Sequence, residues 1–281
     1  MKTIAAVSLG IAAGLASFFG SEVGFAQTVR SASGTAATIQ SSVDAFRTDL
    51  GTLNANVAGS FGAGRREINW DGVPDALSAP NNLPANFFNV NSPRGVVFAT
   101  PGTGFQVSAN AASGTPVEFG NINATYPGIF TTFSPQRLFT ALGSTITDVS
   151  FFLPGSTTSA LTRGFGSVFT DVDLANVTSL QFFGADGSNL GTFSVPASPG
   201  SESLSFLGVS FAAPVVSRVR ITSGNAALGP IEAGQIDLVV MDDFIYGEPL
   251  VAAIPEPGTI ALFGAGVLAL FARRRCAKAR A

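Results

Sequence analysis

The fold of this protein is best read from one strand-like stretch, Leu238-Val239-Val240-Met241-Asp242-Asp243-Phe244-Ile245. Apolar residues fill both alternating sets of positions, a pattern typical of a strand that is covered on both faces. Period-two alternation places Asp242 and Asp243 on opposite faces, so at least one carboxylate is expected to point into an interior. Such a group needs a metal ion, an arginine or several backbone N–H donors, because an unpaired buried charge is too costly.

Nine other short runs rich in Phe, Val, Ile or Thr precede this stretch, and turn residues bound each of them. They are Ile68–Trp70, Val96–Thr100, Phe105–Ala109, Ile146–Leu153, Gly166–Val172, Leu180–Phe183, Leu190–Val195, Leu204–Phe206 and Val215–Thr222. Gly184–Ser188 predicts a hairpin loop between two of them. The pattern predicts an all-β fold over residues 65–249, an antiparallel jelly-roll-like β-sandwich whose core draws on the 25 phenylalanines.

Residues 27–64 are predicted to form a linker and a short amphipathic helix. Gln27–Thr35 is polar and is expected to be the linker. Apolar residues then recur at helical spacing, at Ile39, Val43, Phe46, Leu50 and Leu53. Thr35 or Ser33 could cap this helix, and Gly51 weakens its end. We expect the helix to pack onto the sandwich, with docking to a partner as the alternative.

The residue inventory excludes several kinds of site. The chain has no histidine and one cysteine, Cys276, which rules out disulfide frameworks, zinc clusters and Ser-His-Asp or Cys-His catalysis. Carboxylates, arginine and tyrosine remain. Between residues 27 and 254 the chain carries 16 acidic and nine basic residues without a basic run. Nucleic-acid binding is therefore not expected.

The N-terminus has the three parts of a secretory signal peptide. A positive start at Met1–Lys2 precedes the apolar stretch Ile4–Phe19, and the small residues of Gly24-Phe25-Ala26 follow. Residues 1–26 are therefore predicted to be a signal helix that is cleaved after Ala26. The alternative is an N-terminal membrane anchor.

The C-terminal tail, residues 250–281, also has three parts in order. Pro255-Glu256-Pro257 is followed by the apolar run Thr259–Ala272 and then by Arg273-Arg274-Arg275. A transmembrane helix over 259–272 would reach about 21 Å, short of the ~30 Å hydrocarbon core. It is expected to be a temporary anchor whose arginines stay on the cytoplasmic side, whereas an ordinary tail anchor is the alternative.

This tail resembles the PEP-CTERM sorting signal of Gram-negative bacteria. The resemblance implies that a membrane enzyme, exosortase, cuts near Pro255-Glu256-Pro257. It also implies export through the inner membrane to the cell surface, the outer envelope or an extracellular polysaccharide matrix, with membrane attachment through the helix before processing.

The body, Gly95–Glu248, resembles the bodies of uncharacterised PEP-CTERM proteins. The similar stretches are Val97-Phe98-Ala99-Thr100-Pro101-Gly102, Gly164-Phe165-Gly166-Ser167-Val168-Phe169-Thr170-Asp171-Val172-Asp173 and Asp242-Asp243-Phe244. They suggest kinship with carbohydrate-binding sandwiches, although fold likeness alone does not give function.

Jelly-roll binding modules of that kind often hold calcium between their first and last strands. By this resemblance the implied ligands are Asp243 or Asp242, together with Glu67 or Asp71. Pairing of the aspartates with Arg66, Arg218 or Arg220 is the favoured alternative. Asp171 and Asp173 are either metal or sugar ligands or a solvated strand end, and the strand end is the commoner case.

Three functional hypotheses follow. The favoured one is a non-enzymatic exported sandwich in the polysaccharide matrix, with weak glycan or calcium binding. The chain has few residues on which a sugar could stack, since Trp70, Tyr126 and Tyr246 are the only Trp and Tyr residues. A glycan-cleaving enzyme would need two facing carboxylates about 5–10 Å apart, and the candidates are Asp171, Asp173, Glu118 and Asp148. A purely structural or adhesive surface protein is the third hypothesis.

Overall fold

The computed structural model describes residues 26–252 of the chain. The signal peptide, the sorting motif, the transmembrane helix predicted over 259–272 and Arg273–Arg275 therefore lie outside the described residues, apart from Ala26. Within the described part, no helix has the length and hydropathy needed to span a membrane.

The described chain folds into two main antiparallel sheets, with strands numbered along the chain. The larger sheet contains β1 (Gln27–Gly34), β2 (Arg65–Ile68), β4 (Gly104–Val107), β5 (Phe139–Leu142), β8 (Gly164–Thr170), β11 (Leu204–Phe211) and β13 (Val240–Gly247). The smaller sheet contains β3 (Val96–Ala99), β6 (Ile146–Phe151), β9 (Ser179–Phe183), β10 (Asn189–Ser194) and β12 (Arg218–Thr222). The short strands β7 (Ala160–Leu161) and β14 (Leu250–Val251) form a separate pair.

The strand order in the larger sheet is β1-β11-β8-β13-β5-β4, and β2 also pairs with β13. The order in the smaller sheet is β10-β9-β12-β6-β3. Each of the ten predicted strand stretches overlaps an observed strand. The predicted hairpin joins β9 to β10, and the Gly184 N–H donates to the Ser188 carbonyl at its closure. The all-β antiparallel fold is confirmed.

Aromatic side chains fill much of the space between the sheets. Trp70 stacks on Phe139, with ring centroids 4.1 Å apart and an interplanar angle of 1°, and Phe244 packs edge-on against Trp70. The indole N–H of Trp70 donates to the backbone carbonyl of Asp242 at 3.1 Å. Because its single polar group is satisfied in this way, the tryptophan can be buried completely.

The predicted amphipathic helix is α1 (Ala36–Leu50), and a second helix, α2, is short (Phe87–Val90). Thr35 caps α1, since its side chain accepts from the Thr38 N–H, and Ile39, Val43, Phe46 and Leu50 are buried as expected. Leu53 lies beyond the helix and is half exposed. The helix packs on the larger sheet, against Val168, Leu204, Phe206 and Ile245.

Helix α1 packs over a pair of glycines in the larger sheet. Gly166 of β8 and Gly208 of β11 are direct cross-strand partners, and the ring of Phe46 lies over both. A Cβ atom on Gly208 would come within 2.7 Å of that ring. The absence of side chains at these two positions therefore allows the helix to approach the sheet closely.

Two sequence-based predictions are wrong here. Gln27–Gly34 is strand β1, not a linker, and pairs with Leu204–Phe211 along its whole length. It is an edge strand with little buried side chain, so its stabilising contacts are backbone hydrogen bonds that leave no apolar pattern. Trp70 was expected within a strand, but β2 ends at Ile68 and Trp70 has a φ of 67°.

The central strand β13 contains a β-bulge at the two aspartates. Met241 pairs with Phe169 and Phe244 pairs with Ser167, so three steps along β13 match two along β8. Met241 and Phe244 consequently both face the core between the sheets. The prediction that Asp242 and Asp243 lie on opposite faces is wrong, because the extra residue breaks the alternation.

Candidate functional site

The bulge brings both aspartates of β13 to one serine. Asp242 Oδ2 accepts from the backbone N–H groups of Phe133 and Ser134, at 2.6 and 3.1 Å. The Ser134 hydroxyl lies 2.5 Å from Asp243 Oδ1 and 3.4 Å from Asp242 Oδ1. Burial, together with the charge of Asp243, raises the pKa of Asp242 well above its usual value.

An arginine from α1 links Asp243 to Glu67. Arg47 donates to both oxygens of Glu67, at 3.0 and 2.9 Å, and lies 3.5 Å from Asp243 Oδ2. Burial raises the pKa of Asp243 to about 6, although the Ser134 hydrogen bond and the charge of Arg47 oppose the rise. Asp71 accepts instead from the Gln136 N–H at 2.6 Å. This geometry favours arginine and backbone donors over calcium at these four residues.

The arginines considered as partners contact other carboxylates. Arg66 binds Glu248 through two hydrogen bonds of 2.7 and 2.9 Å, and both side chains are buried. Arg218 and Arg220 bind Asp148 on the smaller sheet. Arg47 was not identified as a partner from the sequence. It lies among polar residues of the helix, and nothing in the local sequence indicates that its guanidinium reaches a distant carboxylate.

A second group of carboxylates meets at one end of the sandwich. Oxygen atoms of Asp171, Asp173 and Glu232 all lie within 4.8 Å of one another, and they are the one group with metal-ligand spacing among residues 26–252. Asp171 follows β8 directly, has a φ of 68° and is fully buried. Neither of its carboxylate oxygens has a hydrogen-bond partner among the described residues. A solvated strand end is therefore the wrong interpretation for Asp171.

Backbone contacts hold the rest of this acidic group in place. Asp237 is buried and accepts from the N–H groups of Asp173 and Leu174, at 3.1 and 3.2 Å. Asp173 accepts from the Gly200 N–H at 2.7 Å. Glu232 accepts from the Leu238 N–H at 3.0 Å. Three separate loops thus converge on Asp171.

Within the described residues, no arginine forms a salt bridge with the acidic group, and each salt bridge engages carboxylates outside it. Burial, followed by the close approach and negative charge of the Glu232 carboxylate, raises the pKa of Asp171 to about 9. Burial also raises the pKa of Asp237. Glu232 and Asp237 were missed in the sequence, where the one sign was an aspartate between Ile236 and Leu238.

Of the four carboxylates considered for glycan cleavage, Asp171 and Asp173 lie together, whereas Asp148 and Glu118 have other neighbours. Asp148 lies on β6 and accepts from Arg218 and Arg220 at 2.8 to 2.9 Å. Burial alone would raise its pKa, but the two arginines outweigh burial and lower it. The pKa of Glu118 is raised by burial and then by the charge of Glu202. Two surface cavities, of about 340 and 490 Å³, are lined by none of the four candidate carboxylates.

The aromatic residues considered for sugar stacking are inside the protein. Trp70, Tyr126 and Tyr246 are each at most 1% exposed. Tyr126 donates to the Pro230 carbonyl and Tyr246 to the Arg94 carbonyl. A glycan therefore has no Trp or Tyr platform to stack on in the described residues.

Comparisons with known proteins bear mainly on the tail. No curated protein matches the chain. One solved structure is similar, the enzymatically active domain of tailspike protein 4 (TSP4dN, orf213) of bacteriophage CBA120, at 14% identity and a TM-score of 0.27; the match covers 59% of this chain and 20% of that one. The family described as the PEP-CTERM protein-sorting motif matches residues 253–275. The chain therefore carries a PEP-CTERM protein-sorting motif, which implies an exported protein that an exosortase-type membrane enzyme processes.

Proposed function

We propose that this chain is a non-enzymatic exported protein that is processed at its PEP-CTERM tail and then serves as a β-sandwich module at the cell surface or in the extracellular polysaccharide matrix. The observation that carries the proposal is the position of the sorting motif. The last strand, Leu250–Val251, still pairs with β7, and the motif begins at residue 253. Cleavage near Pro255 would therefore leave every described strand intact.

Buried polar contacts hold the end of the folded domain just before the motif. Glu248 accepts from Arg66 inside the protein and also from the side chain of Asn54 and the N–H of Phe61. Removal of the tail would not disturb these contacts. The predicted signal cleavage after Ala26 is equally compatible, because the mature chain would begin at Gln27, the first residue of β1.

The path of the chain supports a jelly roll as the topology of this sandwich. From β2 onward the chain moves repeatedly between the two sheets, with β3, β6, β9, β10 and β12 in one and β4, β5, β8, β11 and β13 in the other. Such alternation is typical of a double Greek key wound across two sheets.

We propose that the protein is not an enzyme because of the ion pairing and burial of its candidate carboxylates. Arg218 and Arg220 form ion pairs with Asp148, and Asp171 is fully buried. Glu118 and Asp173 are only partly exposed. A glycosidase needs an acid and a second carboxylate that both reach the sugar. Any contact with polysaccharide would use polar groups, since Trp70 and the two tyrosines are buried.

The test is the C-terminus of the exported protein. We expect mass spectrometry of the protein from a producer with an exosortase-type enzyme to show a chain that ends near Pro257. Replacement of Pro255, Glu256 and Pro257 by alanine should leave the full chain in the membrane fraction, while the control P199A, in an exposed loop, should be processed normally. An exported wild-type chain that still ends at Ala281 would contradict the proposal.

A further inference from the structure

The carboxyl group of Asp171 is buried without a hydrogen-bond partner among the described residues. Buried polar groups in native proteins nearly always have a partner, and an unpaired buried carboxylate is among the most costly groups of all. The charge of this carboxylate therefore has to be removed by a proton or balanced by a bound ion.

The neighbours of Asp171 supply negative charge. Asp173 and Glu232 direct carboxylate oxygens to it, and Asp237 lies close behind them. One oxygen of Asp173 accepts from the Gly200 N–H, and one oxygen of Glu232 accepts from the Leu238 N–H. Two partners can resolve such a cluster: a proton shared between two carboxyl groups, or a cation that binds all of them.

We propose that Asp171, Asp173 and Glu232 bind a divalent cation, and that calcium is the preferred ion. Oxygen ligands of calcium lie 2.3 to 2.6 Å from the ion, so two ligands of one ion are at most about 5 Å apart. The three carboxylates meet this condition, with oxygens within 4.8 Å of one another. The site is distinct from the one that resemblance implied at Asp242 and Asp243.

The choice of calcium follows from the kind of ligands. Both oxygens of Asp171 are free for two-point binding, which calcium accepts and the strict octahedral geometry of magnesium disfavours. The three ligands are all carboxylates, the hard oxygen donors that calcium prefers. Asp237 is a positioning residue, because it holds the Asp173–Leu174 turn through two backbone hydrogen bonds.

Cation binding would fasten two segments at this end of the sandwich directly, and a third segment through Asp173. The turn after β8 carries Asp171 and Asp173, and Asp173 also holds the Gly200 loop through its N–H. Glu232 precedes the entry to β13. An ion shared by these segments would stabilise the folded state by mass action, since the unfolded chain does not hold the ligands together.

Thermal unfolding of the full chain, stripped with EDTA and then titrated with calcium chloride or magnesium chloride, tests the proposal. At about 100 times its dissociation constant, calcium should raise Tm by roughly 5 to 10 °C, with magnesium clearly weaker and one ion bound per chain by calorimetry. D171N should abolish the calcium shift. D186N, the same change in an exposed hairpin, should keep it.

E232Q provides a second variant in case D171N does not fold. Its amide oxygen can still accept from the Leu238 N–H, so the fold is kept while one charged ligand is lost. We expect at least a tenfold weaker calcium affinity. If calcium leaves the wild-type Tm unchanged, the proposal is overturned whatever the stability of D171N. A D171N variant as stable as the wild type would then favour the shared proton.

Discussion

Asp242 and Asp243 are consecutive residues of β13, and both carboxyl groups lie against the hydroxyl of Ser134, at 3.4 and 2.5 Å. Adjacent residues of a regular strand point to opposite faces, so this arrangement requires the bulge between Met241 and Phe244. The segment around Ser134 is thereby tied to the central strand, and α1 is tied to the same point through Arg47.

The role of Asp242 as an acceptor of backbone hydrogen bonds can be tested by two substitutions of similar size. D242N should be nearly neutral or stabilising, because its amide oxygen can accept from Phe133 and Ser134 while the like charge beside Asp243 is removed. D242L should lose about 1 to 3 kcal/mol for each N–H left without an acceptor. Urea unfolding measures both, and equal stability of the two variants would contradict the role.

The close approach of α1 to the sheet depends on Gly208. G208A should lower the free energy of unfolding by about 1 to 3 kcal/mol, because the new methyl group overlaps the ring of Phe46. F46L in the same chain should recover part of the loss by vacating the space above the glycine. A double-mutant cycle by urea unfolding measures this coupling, and purely additive effects would show that the ring does not press on Gly208.

Breaking the buried pair of Arg66 and Glu248 should be among the most damaging single changes. R66M leaves Glu248 charged, buried and short of its main partner, so we expect a loss of about 3 to 5 kcal/mol. R30M, which removes an ion pair that is 41% exposed at the arginine, is the control and should cost far less, because solvent screens an exposed pair. Chemical denaturation of both variants compares them, and similar losses would refute the distinction.

The contacts of Asp148 predict a pH dependence. Its pKa is lower in the folded protein than in the unfolded chain, because Arg220 and Arg218 outweigh the effect of burial. Its contribution is therefore present above the unfolded pKa of about 3.9 and is lost as the pH falls toward the folded pKa. The stability gap between wild type and D148N, about 1 kcal/mol at pH 7 for such partly exposed pairs, should shrink by pH 3. A gap that widens in acid would reverse the assigned sign.

The local pattern of the sequence identified α1 and ten of the fourteen described strands, but it missed β1, β5, β7 and β14. The spacing of Ile39, Val43, Phe46 and Leu50 identified the buried face of α1, and Thr35 identified its start. Most of the recognised strands bury at least one alternating set of residues, as β6, β9 and β12 do. Strand β1 escaped recognition for the opposite reason, since an edge strand held by backbone hydrogen bonds has no apolar alternation to show.

By itself the sequence determined the sorting tail, the helix and the all-β antiparallel fold, because each of these depends on residues that are close together along the chain. Only the tertiary structure decided which carboxylates meet. Asp171 and Glu232 are far apart in sequence and come together through the pairing of β8 with β13, while one extra residue in β13 redirects Asp242 and Asp243. Period-two alternation cannot reveal a bulge or a contact between distant loops, since both depend on strand register, and the register is set by packing of the whole sandwich.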